Sequence, residues 1–251
     1  MMPCPESFPV PLIHIAKADS TNGYLNALCE KEKVSELTTV VADFQTAGRG
    51  QRGNSWESED GKNLMFSFVL YPTFLEARKQ FLLSQIASLT VKETLDLYIG
   101  DVSIKWPNDI YWHDKKIAGI LIENVLSGST FSRAIIGMGL NINQKNFYSD
   151  APNPVSLYQI TGRTYKIEKI LDEFTEAFGK RYTDTFTNSS DRIHKEYIAA
   201  LYRNDGVYPF YSDGNIFHAS IADVELDGHL LLSTESGEKK RFAFKEVSFL
   251  L

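Results

Sequence analysis

Two stretches of this 251-residue sequence, and a lysine that follows the second, carry residue types suited to anion chemistry. Gly48-Arg49-Gly50-Gln51-Arg52-Gly53 matches the GxGxxG spacing of dinucleotide-binding turns. That fold needs its third glycine to open a helix facing the pyrophosphate, whereas residues 54–61, NSWESEDG, are polar and break any helical period. No Gly-Lys-Ser/Thr follows, so a Walker-type loop is excluded too. What remains is a loop whose glycines let backbone amides approach an anion and whose Arg49 and Arg52 supply charge. The second stretch, Lys105-Trp106-Pro107-Asn108-Asp109, puts a cation, an aromatic, a rigid turn and two short polar side chains at one strand end. An ATP-using enzyme needs such a set: charge for phosphates, a flat apolar surface for a ring and oxygen ligands for Mg²⁺. Lys116 follows where a hairpin enters an apolar strand, and Ala118 and Gly119 leave room for a ligand against the backbone. Taken singly, these stretches read equally well as a solvated loop, a strand end and a surface lysine.

The elements that must hold them can be read from periodicity. Asp19-Ser20-Thr21-Asn22 is a capping cluster followed by Leu25, Leu28 and Cys29, so a helix starts near Ser20. Residues 38–44 and 64–71 have strand composition, which makes 45–63 a long loop between two strands. Apolar spacing without proline or glycine predicts a helix over 75–98. Val102, Ile104 and Trp106 alternate, 110–112 and 117–125 form a hairpin joined at 113–116, and 134–142 is one more strand. Residues 167–201 are helical, with a break near Asn188-Ser189-Ser190. From Tyr208 onward, short strands alternate with Asp213-Gly214, Asp227-Gly228 and Ser236-Gly237, a small antiparallel barrel or sandwich too small to be very stable unless docked. Pattern alone supports a mixed α+β domain followed by a β module.

Composition narrows the class. Hydrophobic residues make up 43% and a net charge of −6 argues against a general nucleic-acid surface, because such binding draws its affinity from phosphate neutralisation. Two cysteines, Cys4 and Cys29, with no CxxC and no histidine at ligand spacing suggest neither a disulfide framework nor zinc, which fits a reducing cytoplasm. No apolar run suits a signal peptide or a membrane span, and the residues ahead of the first strand are too few for a helix-turn-helix. The expectation is a soluble, cytoplasmic protein that binds no nucleic acid or membrane.

Five clusters in this order resemble the successive signatures of biotin protein ligases. They are Ser20-Thr21-Asn22; Gln45 with Ala47-Gly48-Arg49-Gly50; Lys105 to Asp109; Lys116 to Ile120; and Gly137-Met138-Gly139-Leu140-Asn141-Ile142-Asn143. The likeness is close over 12–160 and looser beyond. It implies a mixed sheet flanked by helices, as in the class II aminoacyl-tRNA synthetase and biotin synthetase fold, over residues 1–203, and an SH3-like β-barrel over 204–251. It further implies that ATP activates biotin to biotinyl-5′-AMP, with transfer to a lysine of the biotin acceptor domain of a carboxylase carrier protein, by a monomer or homodimer.

Carried over by position, Ser20, Thr21, Asn22 and Gln45 would bind the biotin head group, with Gly48 and Gly119 lining its pocket. Arg49 and Lys116 would hold the biotin carboxylate and α-phosphate together as the catalytic cations. Gly50, Gln51, Arg52, Trp56, Lys105, Asn108 and Asn141 would contact ATP or the adenylate, Asn141 also being the candidate Mg²⁺ ligand. Asp109 is the candidate base for the acceptor amine. The family commonly has basic residues where this chain has Gln51 and Asn54, so a looser grip on the adenylate is expected, since charge-assisted bonds are roughly twice as strong as neutral ones. The nearest rival is a lipoate or octanoyl protein ligase of the same fold; a biotin-responsive repressor is the more distant one.

Overall fold

The structure is a computed structural model that describes residues 11–128, 130–149, 151–185 and 190–250, with only the backbone of Arg52. Cys4, Asn188 and Ser189 lie outside the described residues. Seven strands form the main sheet: β1 (Leu12–Ala18), β2 (Thr39–Gln45), β3 (Leu64–Leu70), β4 (Val102–Lys105), β5 (Asp109–Trp112), β6 (Lys115–Ser127) and β7 (Thr130–Leu140). Their order is β1-β2-β3-β7-β6-β5-β4, with β1 and β2 parallel and every other pair antiparallel. The sheet is mixed, as expected.

Every residue of β3 is buried, because this central strand is covered on both faces. On one face lie α2 (Phe81–Asp96), α4 (Ile167–Asp184) and α5 (Ser190–Ala199), whose apolar stripes join one continuous core. On the other face α1 (Thr21–Lys31) packs over β2, β3 and β7, where Leu25 meets Val40, Val69 and Ile135. Apart from Asn22, which bonds to Leu121 and Glu123 of β6, that helix packs on β2, β3 and β7, and the same face is left open over the rest of β6 to the glycine-rich loop.

Local chemistry explains the element ends. Ser20 caps α1, its hydroxyl accepting from the Gly23 amide at 3.0 Å. The helix expected from residue 75 starts at Phe81 after a 3₁₀ turn, because the extended backbone of Glu76 is bridged to Thr130. A short α3 (Leu157–Thr161) was not legible by periodicity; a Ser156/Gln159 capping box opens it and left-handed Gly162 closes it.

The tail forms a five-stranded antiparallel sheet in the order β11-β10-β9-β8-β12, from β8 (Tyr208–Ser212), β9 (Asn215–Val224), β10 (Leu230–Thr234), β11 (Lys239–Phe242) and β12 (Ser248–Phe249). It is docked on the first unit. The Trp106 indole N–H donates to the Gly228 carbonyl at 2.9 Å, and the segment that leads into the tail is bonded through Ala200 and Tyr202 to the backbone of Ile104 on β4, 2.8 Å each. The hydrophobic core runs without a break from the first unit into this module.

Gly228 has φ +94°, and a Cβ there would lie 2.7 Å from the Phe81 ring. Gly228→Ala should therefore lower the free energy of unfolding in urea by about 2 kcal/mol, backbone strain and collision combined. Gly237, φ +84° with open space around it, should lose only about 1 kcal/mol on the same change. Equal losses would mean that docking at Gly228 contributes nothing.

Candidate active site

The floor of the open face is made of missing side chains. Gly119 on β6 pairs with Gly139 on β7, and Gly137 stands two residues back on the same side, facing α1. A Cβ on Gly139 would lie 2.4 Å from the Trp56 indole, and one on Gly137 would lie 1.9 Å from Asn22 Oδ1. Interior glycines weaken a strand; here they let Trp56 and Asn22 lie on the sheet.

One end of the cleft is neutral and polar. The Thr21 amide donates to Gln45 Oε1 at 2.7 Å, and Thr21 Oγ1 lies 3.2 Å from the same oxygen. Ser67 Oγ, on buried β3, is 2.6 Å from both Thr21 Oγ1 and Asn22 Oδ1. Asn22 Nδ2 donates to the Leu121 carbonyl at 3.3 Å and to Glu123 Oε2 at 2.8 Å. Ser20, Thr21 and Asn22 are all buried here by the first turn of α1.

The glycine-rich loop folds back on itself. Trp56 N–H donates to Gly48 at 2.9 Å, Gly50 N–H to Asn54 at 2.6 Å, and residues 51–53 form a 3₁₀ turn, not a helix. A Cβ on Gly48 would lie 2.6 Å from the Trp56 carbonyl, so this crossing requires glycine. Glu57 clasps the far side: its two oxygens accept from the amides of Tyr148 and Ser149 at 2.8 and 2.7 Å. Burial raises the Glu57 carboxyl, but these hydrogen bonds and that of Gln144 outweigh it and hold the group below its usual range.

Cations stand along the cleft. Lys116 Nζ is 2.6 Å from Asp109 Oδ1 and 5.7 Å from the centre of the Trp56 ring. Arg49 Nη2 is 2.9 Å from Glu123 Oε2. Asn108 is buried and bridged to Ile120 both ways, its side-chain amide donating to the carbonyl and its own carbonyl accepting from the amide at 3.0 Å. Phe244, from the C-terminal module, closes the rim beside Trp106, ring centroids 6.2 Å apart. The space so enclosed is about 700 Å³, open solvent included.

Of the residues expected from sequence, Ser20, Thr21, Asn22, Gln45, Arg49, Gly50, Gln51, Trp56, Asn108, Lys116 and Gly119 line this one cleft. Gly48 shapes the loop from behind. Lys105 lies to one side, donating to Tyr111 OH at 3.0 Å and standing 4.6 Å from that ring's centre; burial, only partly offset by Asp109, holds its ammonium below the usual lysine range. Asn141 is off the lining: its amide donates to the Val155 carbonyl at 3.1 Å, and its buried Oδ1 has no protein partner. Asp109, the candidate base, is paired with Lys116 through Oδ1 at the cleft's edge. Sequence reasoning did not find Ser67, Glu123, Glu57 or Phe244, none of which carries a local motif. The one convergence of three His or carboxylate groups among the described residues, Glu225, Asp227 and His229, lies outside the cleft, and Arg241 pairs both carboxylates at 2.5 and 2.7 Å.

Known proteins give the same grouping. Residues 15–141 match the biotin/lipoate A/B protein ligase family. The bifunctional ligase/repressor BirA of Bacillus spizizenii is 31% identical over 217 residues, 83% of this chain, and the match spans 65% of that relative's length. A biotin–[acetyl-CoA-carboxylase] ligase of Paracoccus denitrificans is 32% identical over 198 residues, 75% of this chain and 80% of the relative. The biotin protein ligase of Aquifex aeolicus, solved in complex with biotin and ATP, superposes with a TM-score of 0.78 at 28% identity, covering 95% of this chain and 97% of that one. With the family's pattern laid over the cleft-forming strands and a relative matched across four-fifths of its length, this chain belongs to the biotin/lipoate A/B protein ligase family.

Proposed function

We propose that this protein is a biotin protein ligase. It joins biotin to ATP as biotinyl-5′-AMP, releasing pyrophosphate, and passes the biotinyl group to a lysine of the acceptor domain of a carboxylase carrier protein. The observation that carries this reading is one cleft with two chemistries, a neutral hydrogen-bonding end at Thr21, Asn22 and Gln45 and a cationic end at Arg49 and Lys116, joined by the glycine floor under Trp56. A ureido ring, with its N–H groups and carbonyl, matches the neutral end. The dithiolane of lipoate offers no such atoms and could exchange no hydrogen bonds with Thr21, Asn22 or Gln45.

In the first step a biotin carboxylate oxygen attacks the α-phosphorus and pyrophosphate leaves with the electron pair of the broken P–O bond. Both reactants are anions, so the step needs cations placed where charge grows, the task assigned to Arg49 and Lys116. In this assignment Ser20, Thr21, Asn22 and Gln45 hold the head group, Gly48 and Gly119 admit it, and Trp56, lying over Gly119 and Gly139, contacts the adenylate. Gly50, Gln51, Arg52 and Asn108 are assigned to the nucleotide, with Lys105 beside them. Mg²⁺ arriving on ATP takes few protein ligands as a rule; the Asp109 carboxylate in the cleft would offer it a hard oxygen donor, whereas Asn141, the candidate from sequence, lies off the lining with its Oδ1 buried. In the second step the acceptor amine attacks the acyl carbon and AMP leaves, so the protein needs no nucleophile of its own; the loop over 48–61 shields the anhydride from water.

Residues 1–203 form the catalytic domain in this reading and 204–251 the small barrel. A cytoplasmic monomer or homodimer acting without nucleic acid completes it, supported by the net charge of −6. No helix among the described residues is long and apolar enough to cross a membrane.

Pyrophosphate release by the purified protein should require ATP, Mg²⁺ and biotin, and should fall about a hundredfold in Lys116→Ala, on the order of 3 kcal/mol. Release with lipoate, or with neither acid, would sink the proposal. Gln51 lines the cleft without a charge, so Gln51→Arg should slow escape of biotinyl-AMP about tenfold; an unchanged rate refutes the looser grip. Because burial favours the neutral form of Lys105, its positive charge is present at low pH and disappears as pH climbs through a depressed pKa. The KM for ATP should accordingly rise on the alkaline side, and Lys105→Arg, which stays charged, should abolish that rise.

A further inference from the structure

Glu123 stands on β6 two residues beyond Leu121, on the same face as Gly119, and no sequence motif marks it. One carboxylate oxygen, Oε2, serves both the Asn22 amide at 2.8 Å and the Arg49 guanidinium at 2.9 Å. The partners come from separate places, the first turn of α1 and the glycine-rich loop. Asn22 continues inward to Ser67 at 2.6 Å, Ser67 to Thr21 at 2.6 Å, and Thr21 to Gln45 at 2.7 Å. A continuous hydrogen-bonded chain thus runs from a cation of the cleft to the groups of its neutral end, with Glu123 as the link between them.

The ion pair itself stabilises little: the side chains are 47% and 40% exposed, and exposed pairs contribute at most about 1 kcal/mol. Its effect is on orientation. The backbone on either side of Arg49 is tied to Trp56 and Asn54, so it is the long side chain that Glu123 orients, and Glu123 engages only Nη2 of the five-donor fork. The remaining donors stay available for a substrate carboxylate or phosphate.

We propose that Glu123 is a positioning residue for the acid substrate, fixing Arg49 and Asn22 in one arrangement so that the charged and neutral ends of the cleft are preset together. This rests on reading the cleft as a biotin site.

In the full-length protein, Glu123→Gln should raise the KM for biotin in pyrophosphate release about tenfold while kcat changes less than about twofold. Glu123→Asp, which keeps the charge but is one methylene shorter, should fall between the two. In the absence of ligand, tryptic cleavage after Arg49, followed by mass spectrometry, should accelerate in Glu123→Gln, and saturating biotin should suppress it. A biotin KM within about twofold of the parent, or a fall in kcat with KM unmoved, overturns the proposal. Should Glu123→Gln fail to fold, the same KM comparison on Glu123→Asp decides. If the parent protein releases no pyrophosphate with biotin, the biotin reading has failed; cleavage after Arg49 then still tests the Glu123 link, faster cutting supporting it and equal cutting overturning it.

Discussion

The register that sets Gly119 opposite Gly139 governs the rest of the molecule's working face. A slip of one residue would turn these glycines and Gly137 into the core, and would put Ile136 and Leu140, now buried in the main core, on the cleft side. The register is held by long pairing between β6 and β7 and between β7 and the fully buried β3. Only with that register in place does the sheet have a hollow deep enough for the Trp56 indole and the Asn22 amide, and only then does the glycine-rich loop have a surface on which to fold. The weakening that interior glycines bring to a strand is offset by β3, β6 and β7 being flanked on both sides in the sheet.

On that floor the charges are arranged to be exchanged. Lys116 is paired with Asp109 and Arg49 with Glu123, all four side chains between about one quarter and one half exposed. Ion pairs of that exposure are weak, so an incoming carboxylate or phosphate can replace a partner at little cost, whereas a deeply buried pair would resist. Lys105 is the contrasting case. It is half-buried against Tyr111 and Phe249 with no carboxylate within ion-pair distance among the described residues, and burial, only partly offset by Asp109, holds its pKa down. The two cations that line the cleft, Arg49 and Lys116, are thus each held by one carboxylate in a chain of net charge −6, and an incoming anion meets them by replacing that partner.

Much of this was legible in the sequence because it is written in short range. Capping at Ser20, the strand-loop-strand across 39–70, the hairpin through Lys105 to Asp109 and the Asp-Gly and Ser-Gly turns of the tail depend on neighbouring residues. The cleft residues were named because they fall in motifs. Ser67, Glu123 and Glu57 were not, since each acts on a partner 45, 101 or 91 positions away and looks locally like an ordinary strand or loop residue. The start of α2 was misplaced for the same reason: the bridge from Glu76 to Thr130 that stops the helix cannot be seen in the apolar spacing of residues 75–98. Lys105 and Asn141, named by motif, prove to stand beside the cleft, not in its wall, a distinction that spacing does not carry.

The C-terminal module shows why its small size is workable. Its apolar residues, Phe210, Ala219, Val224, Leu230 and Leu232, join the core of the first unit, so the two lose water from a shared surface. The contact that matters most to the cleft is the Trp106 indole, which sits in the turn between β4 and β5, hydrogen-bonds Gly228 and meets Phe244 edge-on. Asn108 is two residues away in the same turn and is bonded both ways to Ile120, next to Gly119 on the floor. Any displacement of the module therefore pulls on a turn whose other end is fixed to the cleft, and it removes Phe244 from the rim at the same time. The barrel is in this sense part of the site's wall, and the order of the cleft depends on the docking of residues nearly one hundred and forty positions further along the chain than Trp106.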